Sequence, residues 1–131
     1  MKWLQRLFRR DVAPLGQQGE RVAAQWLKRR GYRILQRNMS VGDDEADLIA
    51  LDPDGRTIVI VEVKTRRSET PLPEFSVNRT KQYRMARLAA RLQQRAEYAN
   101  CPFRFDAIAI VWPQGATPDI RHHPGAFDSP W

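Results

Sequence analysis

Cysteine is nearly absent from the sequence, and long apolar runs are absent altogether. The single cysteine, Cys101, excludes an intramolecular disulfide and a cysteine-rich zinc site, and it fits a reducing cytoplasm. No run of about 18 apolar residues exists, so we predict no transmembrane helix. The N-terminal segment is basic but lacks a long apolar stretch and a small-residue cleavage site, so it does not indicate a signal peptide.

Acidic residues are the minority among the charged residues. The chain has 22 Lys and Arg against 15 Asp and Glu, which gives a formal charge of +7 and a pI near 10.3. Such an excess favours polyanionic partners, nucleic acid first. The length of 131 residues suits one domain, and 42% hydrophobic with 28% charged residues is typical of a globular protein.

Hydrophobic periodicity predicts the element order α-β-β-β-α-β, which is an α/β fold with a mixed central sheet flanked by helices. The predicted helices span residues 17–30 and 81–98, and the predicted strands span residues 32–39, 45–51, 57–65 and 103–112. We divide the chain into a basic N-terminal arm (1–15), one domain (16–112) and a Pro/Gly-rich C-terminal tail (113–131). In the tail we expect at most one short strand, near Ile120.

A predicted turn at Asp54-Gly55 fixes how the second and third strands pair. Asp47 then lies directly opposite Glu62, and Glu45 lies opposite Lys64. The other face of this hairpin is wholly apolar and must be covered, which argues against an ordinary solvated sheet edge. The residues of that face are Ala46, Leu48, Ala50, Val59, Val61 and Val63.

Facing carboxylates repel each other, and partial burial makes the repulsion worse. Three arrangements would compensate: a proton on one carboxyl group, neutralisation by Lys64, or a divalent cation between the acids. Lys64 supplies one charge against three acids, and Mg²⁺ or Mn²⁺ prefers oxygen ligands. A fourth acid, Glu20, lies on the core-facing stripe of the first helix and could reach the others. Glu20 is equally well explained as a first-turn glutamate favoured by the helix dipole.

Several motifs together resemble those of one bacterial family. They are Gly19-Glu20, Trp26-Leu27, Gly31-Tyr32, Asn38, the runs 45–50 and 61–66, and Arg104-Phe105-Asp106. With them the chain resembles the YraN family, which is largely uncharacterised and related to Holliday-junction resolvases within the PD-(D/E)xK nuclease superfamily. The resemblance covers residues 16–112 and implies a restriction-endonuclease-like fold for that domain. One departure is Asp44, where the family usually has glycine. With Asp43 it is expected to add negative charge beside the site.

The resemblance implies hydrolysis of phosphodiester bonds with Mg²⁺ or Mn²⁺ as cofactor. Asp47 and Glu62 would be metal ligands, joined by the backbone carbonyl of Val63. Lys64 would position or activate the attacking water and offset charge on the phosphate. Glu20 would complete the catalytic acidic set.

An acidic site needs a basic rim to bind DNA. Candidate phosphate contacts follow the third strand and line the second helix. They are Arg66, Arg67, Arg79, Lys81, Arg84, Arg91 and Arg95. The helical stripe is equally well explained as an ordinary solvated face. The adjacent residues His122 and His123 are expected to be solvated.

The resemblance implies an endonuclease that cuts branched or otherwise structured DNA, with DNA favoured over RNA. The single cysteine favours a cytoplasmic location. Junction cutting needs two active sites, so this hypothesis includes a homodimer. One alternative is a non-catalytic nucleic-acid-binding adaptor that retains the nuclease fold. A third hypothesis is a membrane-surface protein that uses the basic arm.

Overall fold

Two α-helices and five strands follow one another in the part of the chain that the structure describes. In a computed structural model, residues 13–68 and 77–130 are described. The elements are α1 (Leu15–Arg29), β1 (Arg33–Val41), β2 (Asp44–Leu51), β3 (Ile58–Arg66), α2 (Arg79–Gln93), β4 (Phe103–Val111) and β5 (Asp119–Phe127). Most of the N-terminal arm and of the loop before α2 lies outside the described residues. No helix in the described part of the chain is long and apolar enough to cross a membrane.

The strands form one mixed sheet in the order β1-β2-β3-β4-β5. β1, β2 and β3 pair antiparallel, β4 lies parallel to β3, and β5 is antiparallel to β4. A parallel neighbour requires a crossover connection, and the segment containing α2 supplies it. The predicted α-β-β-β-α-β core and the restriction-endonuclease-like fold class are confirmed.

Among the described residues, one helix packs on each face of the sheet. Ile58 and Ile60 of β3 belong to the hydrophobic cluster that contains Met85 and Leu88 of α2. Alternate residues of the same strand, Val59 and Val61, pack with Leu27 of α1 on the opposite face. Because β3 is buried on both faces, its sequence is a continuous apolar run rather than an alternating one.

The turn between β2 and β3 forms where the sequence predicts it. The Gly55 N–H donates to the Asp52 carbonyl at 2.9 Å, and Gly55 has φ of +73°, which glycine adopts without strain. The Asp54 carboxylate accepts from the Thr57 N–H and from the Thr57 hydroxyl. The predicted register is confirmed over four pairs, from Leu51 opposite Ile58 to Leu48 opposite Val61.

The strand pattern predicted beyond Leu48 is wrong. Ala46 packs in the cluster with Ile49 and Ile60, whereas Leu48 packs on the opposite face. Two residues that lie two positions apart should share a face, so the alternation of β2 reverses at Asp47. The reversal also removes the predicted pairing of Glu45 with Lys64.

The C-terminal segment contributes more to the sheet than the sequence suggests. The strand expected near Ile120 extends over nine residues as β5 and contains Pro124 and Gly125. Both residue types are tolerated at a sheet edge, where one side of the strand needs no partner. The second helix is shorter than predicted. It ends at Gln93, and Ala96–Tyr98 form a separate 3₁₀ turn.

Candidate active site

The site forms where β2 parts from β3. Asp47 occupies the point of reversal in β2, and its Oδ2 accepts a hydrogen bond from the Val63 N–H at 2.8 Å. On the other side of β2, the register of β1 brings Asn38 to this level, and Asn38 has φ of +49°. Asparagine is one of the few non-glycine residues that adopt this left-handed conformation readily. At the same level of the sheet the Asp47 carboxylate faces the β3 backbone.

Gly19 brings α1 close enough to the sheet to add a further carboxylate. A Cβ atom at Gly19 would lie 1.8 Å from the Thr65 hydroxyl oxygen and 2.9 Å from the Thr65 Cβ. Only glycine therefore fits between the helix and β3 at this point. The next residue, Glu20, lies near Asp47 and Asn38.

The carboxylates of Glu20 in α1, Asp47 in β2 and Glu62 in β3 lie close together, and two of them have raised pKa values. Burial and the charge of Asp47 raise the pKa of Glu62 to about 7. Burial and the charge of Asp47 likewise raise the pKa of Glu20, although a hydrogen bond with Asn38 opposes the change. The structure thus brings Glu20, Asp47 and Glu62 together, as the sequence predicts, at an electrostatic cost.

Lys81 compensates part of that cost. Its ammonium group donates to the Glu62 carboxylate as an ion pair from the first turn of α2. Burial alone would lower the pKa of Lys81, but Glu62 and Asp47 raise it above its ordinary value. The sequence predicts Lys81 on the DNA-binding rim and leaves Lys64, a proton on one carboxyl group or a divalent cation open as the compensating group.

Lys64 has a different environment from the one predicted. It is exposed, and none of the carboxylates in the described part of the chain forms an ion pair with it. Lys64 and Lys81 both line a cleft of about 300 Å³ between β3, β4 and the start of α2. Glu62, Val63 and Asn78 also line this cleft. Two lysines and Glu62 therefore open onto the same space.

The donor set suits a hard divalent cation that keeps part of its hydration shell. No group of three or more His, Cys, Asp or Glu side chains in the described residues could hold a metal by itself. A closed zinc site or a caged calcium site is therefore not formed by those side chains. Mg²⁺ is usually bound by one or two carboxylates together with waters and substrate phosphates. Asp47 and Glu62 fit that pattern, and Val63, which follows Glu62 in β3, lines the cleft beside them.

Asp44 adds no free charge beside the site, contrary to expectation. It is buried, and its carboxylate accepts from Arg87 Nε at 2.6 Å and from Arg91 Nε at 3.0 Å. Burial alone would raise the pKa of Asp44, but the two guanidinium groups lower it below its ordinary value. Asp44 thus connects β2 to α2.

Several residues of the predicted basic rim already interact with other groups of the protein. Arg91 is held by Asp44, and Arg84 lies 4.0 Å from a Glu45 oxygen. Arg67 donates to the Trp112 carbonyl at 3.3 Å, at the end of the sheet where β3 terminates. The exposed members of the set are Arg66, Arg67, Arg79, Arg91 and Arg95. Their guanidinium groups can still contact phosphates without reading sequence.

A second polar cluster was missed by sequence reasoning. Asp106 is fully buried, and it accepts from Arg104 Nε at 2.8 Å and lies 2.7 Å from His122 Nε2. His122 was expected to be solvated, but its side chain is 8% exposed and contacts Trp26 and Tyr32 edge-to-face. The signal available in the sequence was an aspartate within an apolar strand, which requires buried partners.

Comparison with known proteins agrees with these motifs. The profile of the Uncharacterised protein family UPF0102 matches residues 19–110. A UPF0102 protein of Trichlorobacter lovleyi is 41% identical over 115 residues, which are 87% of this chain and 90% of the relative. One from Geotalea uraniireducens is 41% identical over 121 residues, 92% of this chain and 94% of the relative. Another, from Caldicellulosiruptor saccharolyticus, is 43% identical over 97 residues, 73% of this chain and 80% of the relative. The chain therefore belongs to the uncharacterised protein family UPF0102, the YraN family.

Proposed function

We propose that this protein is a Mg²⁺- or Mn²⁺-dependent endonuclease that hydrolyses phosphodiester bonds in DNA. The observation that carries the proposal is the convergence of Asp47 and Glu62 from adjacent strands, beside a cleft that also contains Lys64 and Lys81. The net charge of +7 favours the binding of DNA, because DNA is a polyanion.

The acidic residues have the roles of metal ligands in this proposal. Asp47 and Glu62 would hold the cation, the Val63 carbonyl would complete the protein ligands, and Glu20 would support the set from α1. The cation would polarise a phosphate oxygen and lower the pKa of a bound water. The hydrogen bond from the Val63 N–H fixes the orientation of the Asp47 carboxylate, so a ligand is already in position before the cation arrives.

The basic residues act on the substrate. Lys64 projects into the cleft beside the acids, where its ammonium group can hold the attacking water and offset the negative charge that develops on the phosphate. Arg66, Arg67, Arg79 and Arg95 contact neighbouring phosphates.

Structured DNA is the proposed substrate class, and a homodimer is the proposed assembly. Both rest on the resemblance to junction resolvases, because cutting a junction requires two sites. The cytoplasm is the proposed compartment, on the ground of the single cysteine.

A non-catalytic nucleic-acid-binding adaptor is the second candidate. The observation that favours it is the ion pair between Lys81 and Glu62, which already compensates one of the two acids without any metal. Such a protein would bind DNA with the same affinity in the presence and absence of Mg²⁺.

Thermal melting with increasing Mn²⁺ separates the two candidates. A ligand that binds the folded state raises the melting temperature. The endonuclease hypothesis therefore predicts that Mn²⁺ raises the melting temperature of the wild type and that Asp47→Asn abolishes this rise. Incubation with junction, flap, duplex and single-stranded DNA and with RNA then identifies the substrate. Lys64→Ala is the control in that assay, because cleavage that survives it comes from a contaminant.

A further inference from the structure

Lys81 is the ion-pair partner of Glu62, so a metal ion that binds Glu62 would have to compete with the Lys81 ammonium group. Its ammonium group pairs with the carboxylate of Glu62, whose side chain is only 14% exposed. The Lys81 backbone is fixed as well, because the Asn78 side chain accepts from the Lys81 N–H at 2.9 Å and caps α2. The pair therefore joins a fixed helix start to the centre of the sheet.

Two cations cannot share Glu62 without repelling each other. The ammonium group of Lys81 also lies within the electrostatic influence of Asp47 and Glu45, so it is the counter-ion of the acidic group as a whole. Repulsion between like charges is strong in a partly buried site. A divalent ion on Asp47 and Glu62 would therefore weaken the hold of Glu62 on Lys81.

The Lys81 side chain, once released from Glu62, has space in the adjoining cleft. Lys81 is 33% exposed and lines the same cleft as Lys64, Thr65 and Asn78. Lysine is a flexible point charge with three donors, and it is a common phosphate-binding residue. The cleft is where the scissile phosphate lies if the acids hold the metal.

We propose that Lys81 is the resident counter-ion of the metal-free site and that it moves to bind the substrate phosphate when metal occupies Asp47 and Glu62. This inference rests on the proposed function. It assigns to Lys81 a switching role that the predicted basic rim did not include. Metal and DNA then favour each other's binding, since each takes one partner of the ion pair.

The first test is the affinity for Mn²⁺ alone, measured from melting temperatures. Lys81→Met removes the competing charge but keeps the length of the side chain, and we expect half-saturation at an Mn²⁺ concentration about fivefold lower than in the wild type. Lys81→Arg keeps the charge and should behave like the wild type. Lys28→Met is the matched control, because it removes an exposed lysine from the last turn of α1.

Each outcome of this titration has a distinct meaning. Tighter Mn²⁺ binding by Lys81→Met, including binding where the wild type shows none, supports the inference. Equal or weaker binding by the variant, while the wild type binds, overturns the inference and leaves the proposed function intact. If neither protein binds Mn²⁺, the proposed function fails and the inference fails with it. Lys81→Gln repeats the test if Lys81→Met does not fold.

The second test is the coupling between metal and DNA. Affinity for a short fluorescent DNA duplex is measured with and without Ca²⁺, which also takes oxygen ligands. The gain in affinity on adding Ca²⁺ should be about fivefold larger for the wild type than for Lys81→Met, and unchanged by Lys28→Met. Equal gains for the wild type and Lys81→Met would show that Lys81 stays on Glu62 and is a structural counter-ion only.

Discussion

Glu62 should make the metal-free protein less stable as the pH rises, and Glu62→Gln should remove that effect. The pKa of Glu62 rises from 4.5 to about 7 on folding, because of burial and the charge of Asp47. Between these values the folded state binds more protons than the unfolded state, so the free energy of unfolding falls as the pH increases. The full change corresponds to about 3 kcal/mol, with the ion pair to Lys81 already included in the folded-state pKa.

The assay is urea denaturation in a metal-chelating buffer at pH 5 and pH 8. Stability lost between these pH values should be about 2–3 kcal/mol larger for the wild type than for Glu62→Gln. Glu97→Gln is the matched control, since Glu97 is an exposed glutamate. Groups with lowered pKa values, such as Asp44 and Asp106, titrate below this window. Equal losses in the wild type and Glu62→Gln would refute the argument that these carboxylates repel each other in a partly buried site.

Three further predictions concern buried contacts of the fold. Asp106→Asn should lower the free energy of unfolding by about 3–5 kcal/mol, since Arg104 loses a buried charged partner. Chemical denaturation measures this loss, and a loss below about 1 kcal/mol would contradict the inferred role of the Asp106 network in stability. Gly19→Ala should lower the melting temperature and weaken Mn²⁺ binding, because the added methyl group displaces α1 from Thr65. Gly16→Ala is the neutral control, because a methyl group there meets no atom within 4 Å. Equal effects of the two substitutions would contradict the close approach of α1 to β3. Asp44→Asn should destabilise the protein more at pH 7 than at pH 3, because the lowered pKa of Asp44 contributes stability that is fully present above its ordinary value of 3.8 and is lost as the pH falls below that value. Denaturation curves at pH 3 and pH 7 test this, and a difference that does not grow with pH would contradict it.

The hairpin and its register could be predicted because local rules determine them. Asp54-Gly55 specifies the turn, and the apolar residues on both faces require central strands. The reversal at Asp47 could not be predicted, because it coincides with two features that appear only in the folded sheet. One is the left-handed backbone of Asn38 in the neighbouring strand, and the other is the hydrogen bond from the Val63 N–H to Asp47.

The partners of the charged residues were the least predictable part of the site. A helical stripe of arginines and lysines has the same pattern whether it faces solvent or buried acids. Lys81 and Arg91 pair with Glu62 and Asp44 because α2 packs over β2 and β3, and that packing is a tertiary feature. The length of the fifth strand, expected only as a short strand near Ile120, was underestimated for a related reason. Gly125 and Pro124 read as loop residues, but the Gly125 N–H donates to buried Asp106.

Anomalous diffraction from a crystal soaked in Mn²⁺ tests the central claim most directly. The account predicts one Mn²⁺ peak about 2.1 Å from carboxylate oxygens of both Asp47 and Glu62, with the Lys81 ammonium group no longer on Glu62. A peak elsewhere on the chain, or an intact Lys81–Glu62 ion pair with no Mn²⁺ between the two carboxylates, would contradict it.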